Sequence, residues 1–306
     1  MTLPSNSGEG LAGGSRGDTP RSNSGEAPGS VSPAPGAGEL NGEGRIAAAF
    51  EAAKDEGRAA LMPYMMAGYP DRDTALGVAA AYVDSGADLI ELGVPFSDPL
   101  ADGPTIHAAA TAALEAGATF ATALEVCRSV SERVPVVLMA YSNMVLAHGG
   151  ASEFARLAVA AGAAGAIVPD LPLGEAEDVR EDFAGVGLAL VPLVAPTTSP
   201  QRRAQICAVA RGFVYVVATV GTTGERAQIP AALADLVAAT KEDSEIPVAV
   251  GFGIGTVAQA AEVGRIADGV IVGSRLVRAA GEAGSPADAA DAVADFLSET
   301  RVALAG

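Results

Sequence analysis

Three carboxylic acids lie close together in the run of residues 91–106, which reads ELGVPFSDPLADGPTI. Glu91 belongs to an apolar segment, and Asp98 and Asp102 follow it in a segment that contains three prolines. A proline ring fixes the backbone angle φ, so these prolines stiffen the part of the chain that carries the acids. Carboxyl groups held rigidly beside the end of a strand are typical of general acid–base catalysis on one substrate.

Glu91 and Asp102 are predicted to differ in protonation. Glu91 ends an apolar strand, where loss of water should raise its pKa toward neutrality and let it both donate and accept a proton. The alternative is a buried structural acid bonded to backbone groups, and the acidic segment beside Glu91 favours catalysis. Asp102 is expected to stay ionised and to accept an N–H or O–H bond from the substrate. Asp98 precedes Pro99 and is interpreted as a turn residue or as a contact to something outside the domain.

Glycines in two late segments indicate a phosphate site. Gly253 follows one apolar run, Gly273 and Ser274 follow the next, and both segments lead directly into predicted helices. Glycines let the backbone approach a ligand, and helix N-termini offer free N–H groups to a phosphate. Gly224, in a small polar segment (218–227) interpreted as a mobile lid, is a further candidate donor. Plain turn glycines and an ordinary connection are the alternatives.

Large side chains at or near the ends of the apolar runs predict a flat apolar pocket beside the acids. They are Tyr64, Met139, Tyr141, Ile167, Tyr215 and Phe252. Core packing is the alternative for each of them. Acids, an apolar pocket and a phosphate site together indicate a phosphorylated substrate with an aromatic part, acted on by a proton-transfer lyase or isomerase.

The residue inventory argues against several other mechanisms. Neither lysine, Lys54 or Lys241, lies at a strand end, so a Schiff-base or pyridoxal enzyme has no suitable amine. The two histidines, His107 and His148, lie in different segments, and no Cys/His spacing suits zinc. Neither a metal nor a cofactor is therefore predicted. A magnesium site made only of carboxylates is left open, with Asp98, Asp102 and Asp170 as its ligands.

Eight short apolar runs alternate with alanine-rich helical stretches, a pattern that predicts a parallel sheet buried on both faces. The predicted strands are 61–67, 89–92, 135–141, 165–168, 188–194, 213–217, 247–250 and 269–272. Eight such units fit an α/β fold with a single (β/α)8 TIM barrel better than an open sheet, which can also hold eight strands. Function in barrels gathers after the carboxyl ends of the strands, and here a long insertion after the second strand carries Asp98 and Asp102.

Residues 1–44 differ from the rest of the chain in composition. Gly, Ser and Pro dominate them, so they are predicted to be a disordered tail, and 45–306 to be the catalytic barrel domain. The net charge of −18 argues against binding to nucleic acid or to a membrane surface. Cys127 and Cys207 lie in apolar stretches, which favours reduced thiols and a cytoplasmic location. No segment is expected to span a membrane.

From about residue 45 to 303 the sequence resembles the α subunit of tryptophan synthase, and the run 91–106 carries most of the likeness. Further matches lie, in the order typical of that family, at 63–70, 141–145, 168–172, 221–224, 251–254 and 269–274. His107 departs from the usual Gln, and residues 218–220 at the start of the lid segment also differ. Arg275 stands where a small residue is common, so it either adds charge to the phosphate site or points outward from its helix.

The resemblance implies cleavage of indole-3-glycerol phosphate to indole and glyceraldehyde 3-phosphate, without metal or cofactor. Glu91 would protonate C3 of the indole and assist removal of the glyceryl hydroxyl proton, and Asp102 would accept the indole N–H. Thr223 would bond to Asp102 when the lid closes. The implied indole contacts are Tyr64, Met139, Ile167, Tyr215 and Phe252. The implied phosphate ligands are Gly224, Gly253, Gly273 and Ser274.

The resemblance also implies a partner, a pyridoxal-dependent β subunit in an αββα assembly, to which indole would pass directly. The stiff segment around Asp98 and Pro99 would then form part of the docking face. Three alternatives stay open: a stand-alone lyase that releases indole, a non-catalytic activator of the β subunit, and another phosphate-binding barrel isomerase. The presence of Glu91, Asp102 and Thr223 argues against the activator.

Overall fold

The computed structural model describes residues 40–147, 149–218, 232–251 and 253–306. Four residues named above fall outside these ranges: His148, Thr223, Gly224 and Phe252. The described strands are β1 Ala60–Met66, β2 Ile90–Gly93, β3 Val136–Met139, β4 Ala163–Ile167, β5 Ala189–Val191, β6 Leu193–Val194, β7 Val214–Val217, β8 Val248–Gly251 and β9 Gly269–Val272. The described α-helices are α1 Gly42–Asp55, α2 Arg72–Asp84, α3 Pro104–Glu115, α4 Phe120–Val130, α5 Ser142–Ala147, α6 Ala151–Ala160, α7 Glu177–Gly185, α8 Pro200–Val209, α9 Ala232–Asp243, α10 Val257–Gly264, α11 Ser274–Glu282 and α12 Pro286–Leu304.

The strands form one parallel sheet in the order β5-β4-β3-β2-β1-β9-β8-β7-β6. The two strands at the ends of this order, β5 and β6, are consecutive in the chain and are separated only by Pro192. Proline has no N–H to donate to a neighbouring strand, so it interrupts the strand while the chain continues. Because β5 pairs with β4 and β6 pairs with β7, the sheet closes on itself as a barrel.

The barrel strands are buried on both faces, as near-continuous apolar runs predict. Neighbouring residues of β1 show the two layers, because Tyr64 belongs to the interior cluster and Met65 to the cluster between the sheet and the helices. Helix α1 covers the amino-terminal end of the interior, where the ring centroids of Phe50 and Phe213 lie 5.7 Å apart. The opposite, carboxyl-terminal end is therefore the one left for a ligand.

Residues 94–103, called the acidic loop from here on, connect β2 to α3 and carry Asp98 and Asp102. Helix α3 starts at Pro104, whose fixed φ suits the first helical position and whose missing N–H costs nothing there. The loop is thus fixed at one end by the barrel and at the other by the start of a helix.

The (β/α)8 TIM barrel predicted from the sequence is confirmed, with the predicted strand 188–194 broken into β5 and β6. Helix α1 begins at Gly42, where the Asn41 side chain accepts a hydrogen bond from the Gly44 N–H at 2.9 Å. The first helix therefore starts ahead of the domain boundary that the sequence places at residue 45. In the described part of the chain, no helix has the length and apolarity that crossing a membrane requires.

Candidate active site

Glu91 of β2 is a buried acid inside the barrel. It is in register with Tyr64 of β1 and Val137 of β3, and it is 2 % exposed. Its Oε2 atom has no hydrogen-bond partner among the described residues. Burial, and after it the charge of Asp102, raises the pKa of Glu91 from 4.5 to about 8. At neutral pH Glu91 therefore carries a proton that it can donate.

Asp102, at the end of the acidic loop, is hydrogen-bonded to a tyrosine. The Tyr141 hydroxyl donates to Asp102 Oδ2 at 3.1 Å, and it accepts a bond from the Ala101 backbone N–H at 3.0 Å. Burial raises the pKa of Asp102, whereas the Tyr141 hydrogen bond and the charge of His107 oppose that rise. Asp102 and Glu91 thus have different surroundings, and the ionised state expected for Asp102 depends on Tyr141.

A cavity open to solvent, with about 440 Å³ of empty space including its mouth, lies at this end of the barrel. Eight of the predicted site residues line it: Tyr64, Glu91, Asp102, Met139, Tyr215, Gly253, Gly273 and Ser274. Ile167 differs from them, because it is 0 % exposed at the end of β4 and packs in the interior cluster without lining the cavity. The structure thus brings the two acids, the apolar residues and the late glycines to one space.

Three isoleucines that the sequence analysis did not assign also line the cavity: Ile106, Ile254 and Ile271. Ile271 lies two positions before Gly273, so the two-residue period of a strand places both on the interior side. Ile106 lies in the first turn of α3, directly after the acidic loop. The strand period was a usable signal for Ile271, whereas Ile106 and Ile254 could be found only from the placement of their elements.

Two glycines at strand ends make room for tyrosine rings inside the barrel. A Cβ atom at Gly93 would lie 2.1 Å from the Tyr64 hydroxyl oxygen, and one at Gly251 would lie 2.2 Å from that of Tyr215. Real side chains cannot approach so closely, so only glycine allows the rings to cross the barrel end. Gly251 is therefore explained by Tyr215, which leaves Gly253 and Gly273 as the phosphate candidates among the described glycines.

The two late helices differ at their N-termini. Helix α10 is capped by its own side chains, because Thr256 Oγ1 accepts from the Gln259 N–H at 3.2 Å and Gln259 Oε1 accepts from the Thr256 N–H at 3.2 Å. Helix α11 follows Gly273 and has no side-chain cap. Its first N–H groups are therefore available to a bound anion, beside Ser274 and Gly253 in the cavity wall.

The two single-residue departures from the family pattern lie outside the cavity lining. The guanidinium carbon of Arg275 lies 5.2 Å from the centroid of the Phe296 ring, so Arg275 packs on α12 as a cation–π pair. His107 is exposed on α3, and its charge opposes the rise in the pKa of Asp102.

Asp98 and Pro99 lie on the outer side of the acidic loop and do not line the cavity. Asp98 is exposed and accepts a hydrogen bond from Ser97 Oγ at 2.6 Å. Leu100, which follows them, is 85 % exposed. This part of the loop is therefore a surface with an apolar side chain at its tip.

The carboxylates of the magnesium alternative are not gathered at one point. Asp170 accepts hydrogen bonds from the Ser142 backbone N–H at 2.8 Å and from Ser142 Oγ at 2.7 Å. Across the described ranges, no group of three His, Cys, Asp or Glu side chains could hold a metal ion. The magnesium site on Asp98, Asp102 and Asp170 is therefore wrong for this structure.

The fold and the cavity define a class of protein: an α/β barrel with acid–base groups and an open helix N-terminus at the carboxyl ends of its strands, as in barrel enzymes. The family described as tryptophan synthase alpha chain matches residues 50–304. The chain belongs to the tryptophan synthase alpha chain family.

Similar proteins show how far this likeness extends. The chain is 48 % identical over 261 residues to the tryptophan synthase alpha chain of Synechococcus sp. (strain CC9902), which covers 84 % of this chain and 96 % of that one. It is 46 % identical over 239 residues to that of Mycobacterium ulcerans, covering 78 % and 88 %. A solved structure of tryptophan synthase from Mycobacterium tuberculosis matches with a TM-score of 0.79 and 38 % identity, covering 87 % of this chain and 99 % of that one.

Proposed function

We propose that this protein cleaves indole-3-glycerol phosphate to indole and glyceraldehyde 3-phosphate. The observation that supports this most strongly is the cavity that Glu91, with a pKa of about 8, shares with Asp102. A retro-aldol cleavage of this kind needs one group that can give and take a proton near neutral pH. Membership of the family indicates which substrate fills the cavity.

Glu91 performs both proton transfers in the proposed mechanism. It donates its proton to C3 of the indole, which turns the ring into an electron acceptor with positive charge on nitrogen. The Glu91 carboxylate then takes the proton of the hydroxyl on the carbon attached to C3. The electrons of that O–H bond form the aldehyde, the carbon–carbon bond breaks, and its electron pair returns to the ring. The products are indole and glyceraldehyde 3-phosphate, and Glu91 is again protonated.

Asp102 stabilises the charge that develops on the indole nitrogen. A carboxylate that accepts the ring N–H gains energy as that nitrogen becomes positive, so the bond is stronger in the transition state than in the substrate. Thr223, which lies outside the described residues, is proposed from the family resemblance to bond to Asp102 when the lid closes.

The remaining lining suits the two ends of this substrate. Tyr64, Met139 and Tyr215 offer apolar surface to the ring. Gly273 and Ser274 present the open N-terminus of α11 to the phosphate. Gly253 in the cavity wall complements them. Phe252 and Gly224 are proposed as contacts from the resemblance alone. Ile167 is also proposed, although it packs beneath the cavity surface.

The proposed partner is a tryptophan synthase β subunit, which would carry pyridoxal phosphate and receive the indole in an αββα assembly. The exposed outer side of the acidic loop, with Asp98, Pro99 and the 85 % exposed Leu100, supports a docking role. Docking there would contact the same loop that carries Asp102, so the partner could change the position of Asp102 through that loop.

Indole release from indole-3-glycerol phosphate, measured with and without a tryptophan synthase β subunit, tests both parts of the proposal. Slow release alone that rises sharply with β is the expected result. Fast release that is indifferent to β would replace the partnership with a stand-alone lyase. The absence of release in both conditions, with a folded protein, would overturn the substrate assignment.

A further inference from the structure

Tyr141, between β3 and α5, is bonded to the acidic loop and is 4 % exposed. Its hydroxyl lies 3.0 Å from the Ala101 backbone nitrogen and 3.1 Å from Asp102 Oδ2. Its ring packs against Phe96 with the ring centroids 5.3 Å apart. Tyr141 therefore holds both the beginning and the end of the loop against the carboxyl end of β3.

The chemistry of the partners fixes the direction of the two hydrogen bonds. A backbone N–H can only donate, so the Tyr141 oxygen must accept from Ala101. An ionised carboxylate can only accept, so the Tyr141 proton must point at Asp102 Oδ2. The hydroxyl thus donates one bond and accepts one, and among the described residues no hydrogen bond reaches the Oδ1 atom of Asp102.

The two acids of the cavity, Glu91 and Asp102, differ in their hydrogen-bond partners. Glu91 Oε2 has no hydrogen-bond partner among the described residues, whereas Asp102 Oδ2 has a phenol donor. A hydrogen bond to the charged form favours ionisation, and burial without one disfavours it. Two neighbouring acids in one pocket are best kept in different protonation states by such a difference in surroundings.

We propose that Tyr141 is a positioning residue, which donates to Asp102 Oδ2 so that the Oδ1 atom of the same carboxylate meets the indole N–H. The proposal rests on the function proposed above, because it concerns how that site keeps its second acid in place. Tyr141 acts through Asp102 and need not touch the reacting atoms.

Replacing Tyr141 by Phe tests this, since the ring and its contact with Phe96 stay and only the hydroxyl is lost. We expect kcat/KM for indole release to fall roughly 10- to 100-fold, the range of a hydrogen bond to a charged group. Tyr69→Phe is the matched control, because it removes the hydroxyl of a half-buried tyrosine that does not line the cavity. The control should keep the wild-type rate.

The pH profile distinguishes positioning from packing. Five titratable groups interact with Asp102 electrostatically: Tyr64, Glu91, His107, Tyr141 and Tyr215. Loss of the donor should raise the pKa of Asp102, so the acid limb of kcat/KM should move to higher pH in Tyr141→Phe. The alkaline limb, which Glu91 sets, should move little. Phe96→Leu, which removes the ring contact and keeps the hydroxyl, should leave the acid limb in place.

A double-mutant cycle with Asp102→Ala completes the test. If Tyr141 acts through Asp102, adding Tyr141→Phe to Asp102→Ala should not raise further the Kd for a non-cleavable indole-alkyl phosphate. Three results would overturn the proposal. The first is a full further loss of ligand affinity when Tyr141→Phe is added to Asp102→Ala. The others are a fall in kcat/KM with no shift of the acid limb, and a Tyr141→Phe enzyme as active as the wild type. An inactive wild-type protein would instead contradict the proposed function, so the two failures are distinguishable.

Discussion

Asp88 and Glu91 belong to the same stretch of chain, yet their surroundings are opposite. Asp88, just before β2, accepts hydrogen bonds from Arg58 Nη1 and Nη2 at 2.5 and 2.8 Å and from the Leu61 N–H at 2.7 Å. Glu91, inside β2, leaves its Oε2 atom without a partner among the described residues. Asp88 is paired at the amino-terminal end of the barrel, whereas one oxygen of Glu91, in the cavity lining, has no partner in the described part of the chain.

Asp268 shows that the pairing at the amino-terminal end is a repeated arrangement. It precedes β9, accepts from the Val248 N–H at 2.8 Å and from Lys241 Nζ at 2.7 Å, and so joins the start of β8 to the start of β9. Asp88 joins β2 to β1 in the same way. In a barrel the amino-terminal end stabilises the fold and the carboxyl-terminal end carries function, and these acids follow that division. An acid whose hydrogen bonds are satisfied stabilises the fold, whereas a buried acid with an unsatisfied oxygen is suited to chemistry.

Glu91→Gln should give the largest effect, because it removes the only group that transfers protons in the proposed mechanism. We expect kcat for indole release to fall roughly 100- to 10,000-fold. Asp88→Asn is the matched change on the paired acid, and it should keep kcat per folded molecule. The rates are measured with circular dichroism as a check of folding. A Glu91→Gln enzyme with more than a tenth of the wild-type kcat would remove Glu91 from the mechanism.

The free energy of unfolding should depend on pH because Glu91 is buried. The pKa of Glu91 is about 8 in the fold and 4.5 when unperturbed, so between these values the folded state holds a proton that the unfolded chain has lost. The free energy of unfolding should therefore fall as pH rises from 4.5 to 8, by roughly 3 to 5 kcal/mol from this group.

Urea unfolding of wild type and Glu91→Gln at pH 5 and pH 9 measures that change. Glutamine has no charge to bury, so the variant should lack this loss of stability. At pH 9 its free energy of unfolding should be larger than that of the wild type. Equal pH dependence in the two proteins would show that burial of Glu91 does not raise its pKa.

Asp88→Asn should destabilise the fold by about 3 kcal/mol, because it removes the less exposed of the two carboxylates that the structure pairs with the buried Arg58 guanidinium and leaves the half-exposed Glu56. Asp84→Asn breaks an ion pair with Arg133 in which both side chains are more than half exposed. Exposed pairs contribute at most about 1 kcal/mol, so this control should change stability little. Equal losses in the two variants would contradict the role given to the amino-terminal end.

Truncation at the N-terminus should have the smallest effect and should affect stability alone. Deleting residues 1–39 keeps the Asn41 cap of α1 and should leave both stability and kcat unchanged. Deleting residues 1–44 removes the cap and the first turn of the helix that covers the amino-terminal end, which should cost about 1 kcal/mol. Thermal unfolding and indole release of both deletions measure this. A fall in kcat per folded molecule would show that the tail takes part in function.

Much of the fold was predictable because short apolar runs in the sequence mark the strands. The apolar runs gave all the barrel strands within one or two residues, and they failed to predict only the break at Pro192. The raised pKa of Glu91 was also predictable, since an acid in an apolar strand must lose water. Ile167 shows the limit of this reasoning, because a strand period says that it faces inward and not whether it reaches the cavity surface.

Contacts between distant segments could not be predicted in the same way. Tyr141 and Asp102 are 39 positions apart, and nothing local to either indicates a hydrogen bond between them. The caps of the two late helices could be predicted, because Thr256 with Gln259 three positions later is a capping-box pattern, whereas Gly273 ahead of α11 has no side chain to cap with.

The sequence by itself determined that this chain forms a (β/α)8 barrel, that Glu91 lies in the second strand with Asp98 and Asp102 after it, and that it resembles tryptophan synthase α subunits. These properties depend on residue types and spacing along the chain, which act through neighbouring positions. Only the tertiary structure decided that Asp88 is paired, that Glu91 Oε2 has no partner among the described residues, and which isoleucines line the cavity. The reason is physical: burial and hydrogen bonding are set by elements that approach in space, and the barrel brings together strands from the whole length of its domain.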